Sequence, residues 1–212
     1  QEMGVHVDVD SSHLITVQGV GLRGLKKPGK QLDVGNSGTG IRLITGVLAA
    51  QDFDCSISGD ASIQTRPMRR VIDPLTQMGA DISGQKSNKG DITPPLSITG
   101  KKEFSPINYT LPIASAQVKS ALLFASLYSE TPSTITEPSP CRNHTEQFLK
   151  GFGADISIQG NAISCSGKNA LFNPSEAPIF IPSDISSAAF FIVLGCILQG
   201  AHYTIKGIGL NE

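Results

Sequence analysis

The chain has 212 residues, is 39% hydrophobic, and carries 17 basic against 18 acidic side chains for a formal net charge of −1. That length holds one large domain or two small ones, and the balanced charge argues against nucleic acid as a partner; any bound anion must be caught locally by a few aimed groups. The longest apolar run, Ala188 to Leu198, is shorter than the ~20 residues of a bilayer span, and Cys55, Cys141, Cys165 and Cys196 lack the paired spacing of a disulfide frame or a zinc site, so the expectation is a cytoplasmic protein with no membrane partner, metal or cofactor.

In chain order, the first readable phrase is QEMGVHV (Gln1–Val7), followed by the short strand LITVQG (Leu14–Gly19). Next comes LDVGNSGTGIRLITGVLA, a β-rich start, a turn of small polar residues and an apolar helix. The strand CSISGD (Cys55–Asp60) leads to Arg66-Pro67-Met68 and a predicted helix over 69–78, with Pro67 suited to its first position. PLTQMGADI (Pro74–Ile82) and LSITG (Leu96–Gly100) then repeat the opening phrases, with 85–95 between them read as a surface loop.

The cycle runs again. YTLPIASAQVKSALLFASL gives strand, turn and apolar helix; STITEP (Ser133–Pro138) gives a strand; 143–152 a helix; FLKGFGADI (Phe148–Ile156) and ISCSG (Ile163–Gly167) the closing phrases. IFIPSDISSAAFFIVLGCIL starts a third cycle. Gly4, Gly79 and Gly153 mark a period of roughly 75 residues, far above that of a solenoid repeat. The unit is strand–helix–strand–helix–strand–strand, with two copies complete, the tail of one before them and the head of another after them. The opening Gln and the abrupt close at Gly209-Leu210-Asn211-Glu212 read as a piece of a longer protein.

Three apolar helices therefore start at polar turns, where Ser, Thr or Asp can accept from the unpaired N–H groups of the first turn. Such N-termini attract phosphate and carboxylate. At 35–40, Gly38 permits close backbone approach and Thr39 adds a hydroxyl, although a plain N-cap with a tight turn explains the same residues. Arg66, held extended before Pro67, can fork onto a carboxylate or phosphate; Arg69 and Arg70 read as solvated charges. Gln117 and Lys119 are odd inside an apolar helix: Gln117 reads as a binding residue and Lys119 as a charge reaching solvent. Arg142 is another basic group at a helix entrance, His144 reads as structural, and Asn143 or Thr145 as a cap.

GNSGTGIRL, GDASIQTRPMRRVIDPLTQMGA, LPIASAQVKSALL, EPSPCRNHTEQFL and IPSDISSAAFF, in this order along the whole chain, resemble the successive signatures of the 5-enolpyruvylshikimate-3-phosphate synthase family. The resemblance implies an α/β fold, the inside-out α/β barrel of enolpyruvyl transferases, built from βαβαββ units with pseudo-threefold repetition in two domains. Residues 1–182 would form one domain and 183–212 the truncated start of the second.

The family moves the enolpyruvyl group of phosphoenolpyruvate to the 5-hydroxyl of shikimate 3-phosphate with release of phosphate, a step of aromatic amino-acid biosynthesis. By resemblance, Asn36, Gly38, Thr39, Arg66 and Gln117 bind phosphoenolpyruvate, and Ser115, Ala116, Gln117 and Arg142 bind shikimate 3-phosphate. Departures from the family pattern are Asn143 in place of Asp, Ser183 in place of Gly and Gly40 in place of Ala. The family's acid and base residues fall outside this chain, so the expectation is an inactive fragment of a monomeric parent, able to self-associate as a swapped dimer. Glyphosate, the family's inhibitor, is expected to act where Gly38 leaves room. The alternatives are a UDP-N-acetylglucosamine enolpyruvyl transferase-like enzyme, which relies on a reactive cysteine, and a non-catalytic anion-binding domain.

Overall fold

Two complete six-element units follow a free-standing hairpin in the computed structural model, which describes residues 1–11, 14–101, 103–174 and 177–210; the last two residues of the closing phrase lie outside these. The hairpin is β1 (His6–Val9) and β2 (Ile15–Gln18). The first unit is β3 (Leu32–Asp33), α1 (Gly38–Leu48), β4 (Cys55–Ser58), α2 (Arg69–Gln77), β5 (Asp81–Lys86) and β6 (Ile92–Thr99). The second is β7 (Asn108–Thr110), α3 (Ala116–Ser126), β8 (Ser133–Thr136), α4 (His144–Gly151), β9 (Asp155–Gln159) and β10 (Ala162–Ser166). These reproduce the expected βαβαββ order. The sheets share one plan, β3-β4-β6-β5 and β7-β8-β10-β9, with the first two neighbours parallel and the rest antiparallel.

The repeated glycines have a physical cause. Gly79 follows α2 at φ 104° and Gly153 follows α4 at φ 82°, a left-handed backbone that glycine adopts without a Cβ penalty. In both, the glycine N–H and the next N–H reach back to orphan carbonyls: Gly79 to Thr76 and Ala80 to Leu75, Gly153 to Lys150 and Ala154 to Leu149. This is the Schellman end of a helix, and it turns the chain directly into the following strand.

The helices form the interior. Val118, Ala121, Leu122, Leu123 and Ala125 of α3 join Ile41 and Leu48 of α1, Val71 and Leu75 of α2, and Ile57, Leu96, Ile135 and Ile163 of the two sheets in a single core. The contacts of α1 with α3 fall in order along both helices: Thr39 with Gln117, Gly46 with Ala121, and Gln51 just beyond α1 with Tyr128 just beyond α3. The two therefore run side by side in the same direction, and both N-termini come to one end. Gly46 permits it, since a Cβ there would stand 2.2 Å from the carbonyl oxygen of Ala121.

Two expectations are corrected. The segment 85–95 is a hairpin, not a loop: β5 runs into Lys86 and β6 out of Ile92. Pro94 and Pro95 fall in the register break between Gln85↔Thr93 and Ser83↔Ser97, a bulge where a missing N–H costs no ladder bond. Pro67 is not the first residue of α2 either; Met68 holds the N-cap position, and Pro67 precedes it after the extended Arg66.

The chain divides into two compact units, Gln1–Pro174 and the remainder. Within the second, Ser183 bridges Ile208 in parallel and Asp184 caps α5 (Ile185–Ile197), a strand–helix–strand head like those of the complete units. Phe190, Phe191 and Ile197 of α5 are largely exposed.

Gly46→Ala should force α1 and α3 apart and cost about 1–3 kcal/mol of stability. A chemical denaturation midpoint equal to that of the unaltered chain would contradict this packing.

Candidate functional site

Serine starts both helices that meet at the site. Ser37 caps α1 by accepting from the Gly40 amide, and Ser115 caps α3 by accepting from the Val118 amide at 3.4 Å. Each cap serves one of the orphan donors of the first turn and leaves others open.

The N-terminal turns are then sewn together by side chains. Gln117 Nε2 donates to Thr39 Oγ1 at 2.7 Å, and Gln117 Oε1 accepts from an Arg42 guanidinium nitrogen at 3.1 Å. The same nitrogen donates to the Gly38 carbonyl at 2.9 Å, and the other terminal nitrogen reaches the Pro67 carbonyl at 3.2 Å. Arg42 thus joins the start of α1, the entry to α2 and the start of α3. Burial, with the nearby charges of Arg66 and Arg70, lowers its pKa. Three guanidinium groups concentrated at one end of the helix pair are a field that an anion relieves.

The structure brings together four of the proposed binding residues. Thr39, Ala116, Gln117 and Arg142 line one cleft of about 170 Å³, with Leu43, Ser120, His144 and Thr145. Gly38 does not line it; its carbonyl accepts from Arg42, and a Cβ at position 38 would stand 3.2 Å from that guanidinium nitrogen. Ser115 and Arg70 instead line a smaller pocket with Tyr109 and Val118, and Arg70 is exposed, as expected of a solvated charge. Arg66 is exposed, beside this network rather than in the cleft.

Asn36 is engaged elsewhere: its Nδ2 donates to Asp60 Oδ2 at 2.6 Å. The Ile63 amide and then Asn36 hold the Asp60 carboxyl below its ordinary range. That pins the turn before α1 to the loop after β4.

Lys119 does not reach solvent. It is fully buried, with Nζ 3.0 Å from Glu137 and 2.5 Å from Glu146. It failed as a solvent charge because its partners come from β8's end and α4, which spacing within one helix does not show. Burial opposes the ammonium, but hydrogen bonds and charge from Glu146 and Glu137 outweigh it, and the lysine pKa is raised. Of the two cap candidates, Asn143 does hold the N-cap position of α4, with its side-chain oxygen accepting from the Gln147 side-chain amide rather than from a first-turn backbone N–H, whereas the hydroxyl of Thr145 bonds that of Ser120 at 2.6 Å. Arg42 was missed altogether; its signal was an arginine one helical turn beyond Gly38 in an otherwise apolar helix.

Cysteine chemistry at Cys141, the cysteine next to Arg142, is disfavoured. Burial and a hydrogen bond to Glu137 push the Cys141 thiol up to about 11, so near neutrality it stays protonated. No group of His, Cys, Asp and Glu suited to a metal ion occurs among the described residues, and no described helix is long and apolar enough to cross a membrane.

Comparisons with known proteins identify the family and the fold. The family profile described as EPSP synthase (3-phosphoshikimate 1-carboxyvinyltransferase) matches residues 1–212. A 3-phosphoshikimate 1-carboxyvinyltransferase of Alkalilimnicola ehrlichii is 49% identical over 99% of this chain and 45% of its own length. One from Streptococcus thermophilus is 46% identical over 100% of this chain and 48% of its own. Among solved structures, EPSP synthase from Acinetobacter baumannii matches with a TM-score of 0.85 and 47% identity, over 99% of this chain and 46% of that one. The chain thus spans about half the length of the relatives it matches.

The Lys119 charge contributes stability in full below the ordinary lysine value of 10.5 and loses it as pH climbs through the raised folded value. Thermal stability should fall above that pH. Lys119→Met, which strands two buried carboxylates, should cost about 3–5 kcal/mol at pH 7 in urea denaturation; a loss under about 1 kcal/mol, the range of exposed pairs, would show the triad to be solvated.

Proposed function

The chain belongs to the EPSP synthase family, and from that premise we propose that it forms the substrate-binding half of an enzyme that transfers the enolpyruvyl group of phosphoenolpyruvate to shikimate 3-phosphate. The observation that carries the reading is the Thr39–Gln117–Arg42 network, which joins two helix N-termini beside a cleft lined by Thr39, Gln117 and Arg142, with the charges of Arg66 and Arg70 near Arg42. Both substrates are small phosphorylated carboxylates, the ligand class such donors suit.

In this reading Ser115, Ala116, Gln117 and Arg142 hold shikimate 3-phosphate. Arg142 is exposed and has no hydrogen bond or ion pair among the described residues, so its guanidinium is available to a ligand without losing an internal partner. Asn36, Gly38, Thr39 and Arg66 serve phosphoenolpyruvate, with Gln117 between the two ligands. Asn36 acts there by holding the turn, since its amide is committed to Asp60. The reaction also needs groups that give and take a proton at the transferred carbon. None of the cleft residues is assigned that task; it falls to the part of the family's length that this chain does not span. The second compact unit, with its exposed apolar α5, begins the family's second domain. The work is cytoplasmic, in aromatic amino-acid biosynthesis.

Shikimate 3-phosphate added to the 212-residue chain should shift the amide signals of Ser115, Gln117 and Arg142 first. Binding should be weak, because water on the open side screens each charge contact to about 1 kcal/mol. Saturation at submicromolar ligand, or shifts confined to residues far from the starts of α1, α3 and α4, would defeat the reading.

Gly38 gives a second test. Glyphosate occupies the phosphoenolpyruvate side in the family, and a methyl at position 38 both fills that space and presses on Arg42. The full-length protein should be inhibited by glyphosate and its Gly38→Ala variant much less so; equal inhibition of both would exclude this role.

A further inference from the structure

Two consecutive residues of α3 grip the segment that carries Arg142. Lys119 Nζ lies 3.0 Å from Glu137, 2.5 Å from Glu146 and 3.4 Å from the carbonyl oxygen of Cys141. Ser120, next along the helix, shares its hydrogen bond with Thr145. Glu137 lies just after β8, Cys141 immediately precedes Arg142, and Thr145 and Glu146 sit in the first turn of α4. The Cys141 thiol adds a bond to Glu137. The segment from Glu137 to Glu146 is therefore fixed at both ends and in the middle from one buried point, while the Arg142 side chain above it has no partner of its own among the described residues.

As a device for stability this is a poor choice. Two carboxylates share one ammonium, both are almost wholly buried, and Glu146 Oε2 has no hydrogen bond. Apolar side chains of similar size serve a core at least as well. What an ammonium does better is aim: its three N–H groups meet three acceptors in set directions. Here those acceptors are the points that determine where Arg142 starts.

We propose that Lys119 is a positioning residue: through Glu137, Glu146 and the Cys141 carbonyl it holds the Arg142 backbone in register with Gln117, and so sets the grip of the cleft on its phosphorylated hydroxy-acid ligand. The ligand, though not the geometry, rests on the function proposed above. Lys119 touches no substrate in this account and acts only through Arg142.

The test uses the full-length protein and a neutral triad, Lys119→Met with Glu137→Gln and Glu146→Gln, which leaves no buried charge alone. Without ligand, hydrogen exchange at the amides of residues 141–146 should speed up about tenfold while those of α1 and α2 are unchanged. With substrates, the KM for shikimate 3-phosphate should rise about tenfold and that for phosphoenolpyruvate stay within about twofold, and Arg142→Ala should cost much less in the neutral background than in the natural one. Unchanged exchange at 141–146, exchange raised equally throughout, or Arg142→Ala effects that multiply independently would overturn the proposal. If the neutral triad does not fold, Glu137→Gln, which leaves one carboxylate for one ammonium, takes the same measurements. If the natural protein does not use shikimate 3-phosphate, the proposed function fails, and the exchange measurement still decides whether Lys119 positions Arg142.

Discussion

The close parallel contact of α1 with α3 is the constraint on which the site depends. At Gly46 the helices approach until backbone meets backbone, and this brings Thr39 within a hydrogen bond of Gln117. With the helices a side chain further apart, Gln117 would face water and Arg42 would lose its one acceptor on α3. Helix N-termini favour anions by only a fraction of a kcal/mol each at an exposed surface. Two brought side by side, with Arg42 between them and Arg142 lining the cleft, make a directed donor set out of weak parts.

Charge is distributed with the same economy of position. The chain is nearly neutral, but Arg42, Arg66 and Arg70 stand close enough for their charges to act on Arg42. Two acids meet the turn before α1 and both are committed: Asp33 accepts from the Gly35 amide, and Asp60 accepts from the Ile63 amide and from Asn36. Lys119, the one lysine in the helix pair, is spent internally on Glu137 and Glu146. Basic groups at the cleft are thus sorted into those held by the protein and those, such as Arg142, left for a ligand.

Much of this was legible in the sequence because the signals are local. Gly79 and Gly153 announce left-handed helix ends, Ser37, Ser115 and Asp184 announce helix starts, and the repetition of both sets the βαβαββ units. Gln117 stood out as a polar residue at the start of an apolar helix. What could not be read there was pairing between distant segments. Lys119 looks like a surface charge until Glu137 and Glu146 arrive from the next strand and helix, and Arg42 looks like the wet side of a helix until Gln117 faces it. Pro94 and Pro95 look like a loop because the bulge that tolerates them is a property of two strands together. The divided tasks of Asn36 and Ser115, one holding a turn and the other capping a helix beside Arg70, likewise appear only in three dimensions.

A crystal structure of the full-length protein with shikimate 3-phosphate bound would test the central claim most directly. The account predicts the ligand's acidic groups between the first turn of α3 and Arg142, with the Thr39–Gln117 contact within reach of the same cleft. A ligand seated away from the starts of α1 and α3, with Gln117 and Arg142 untouched, would contradict it.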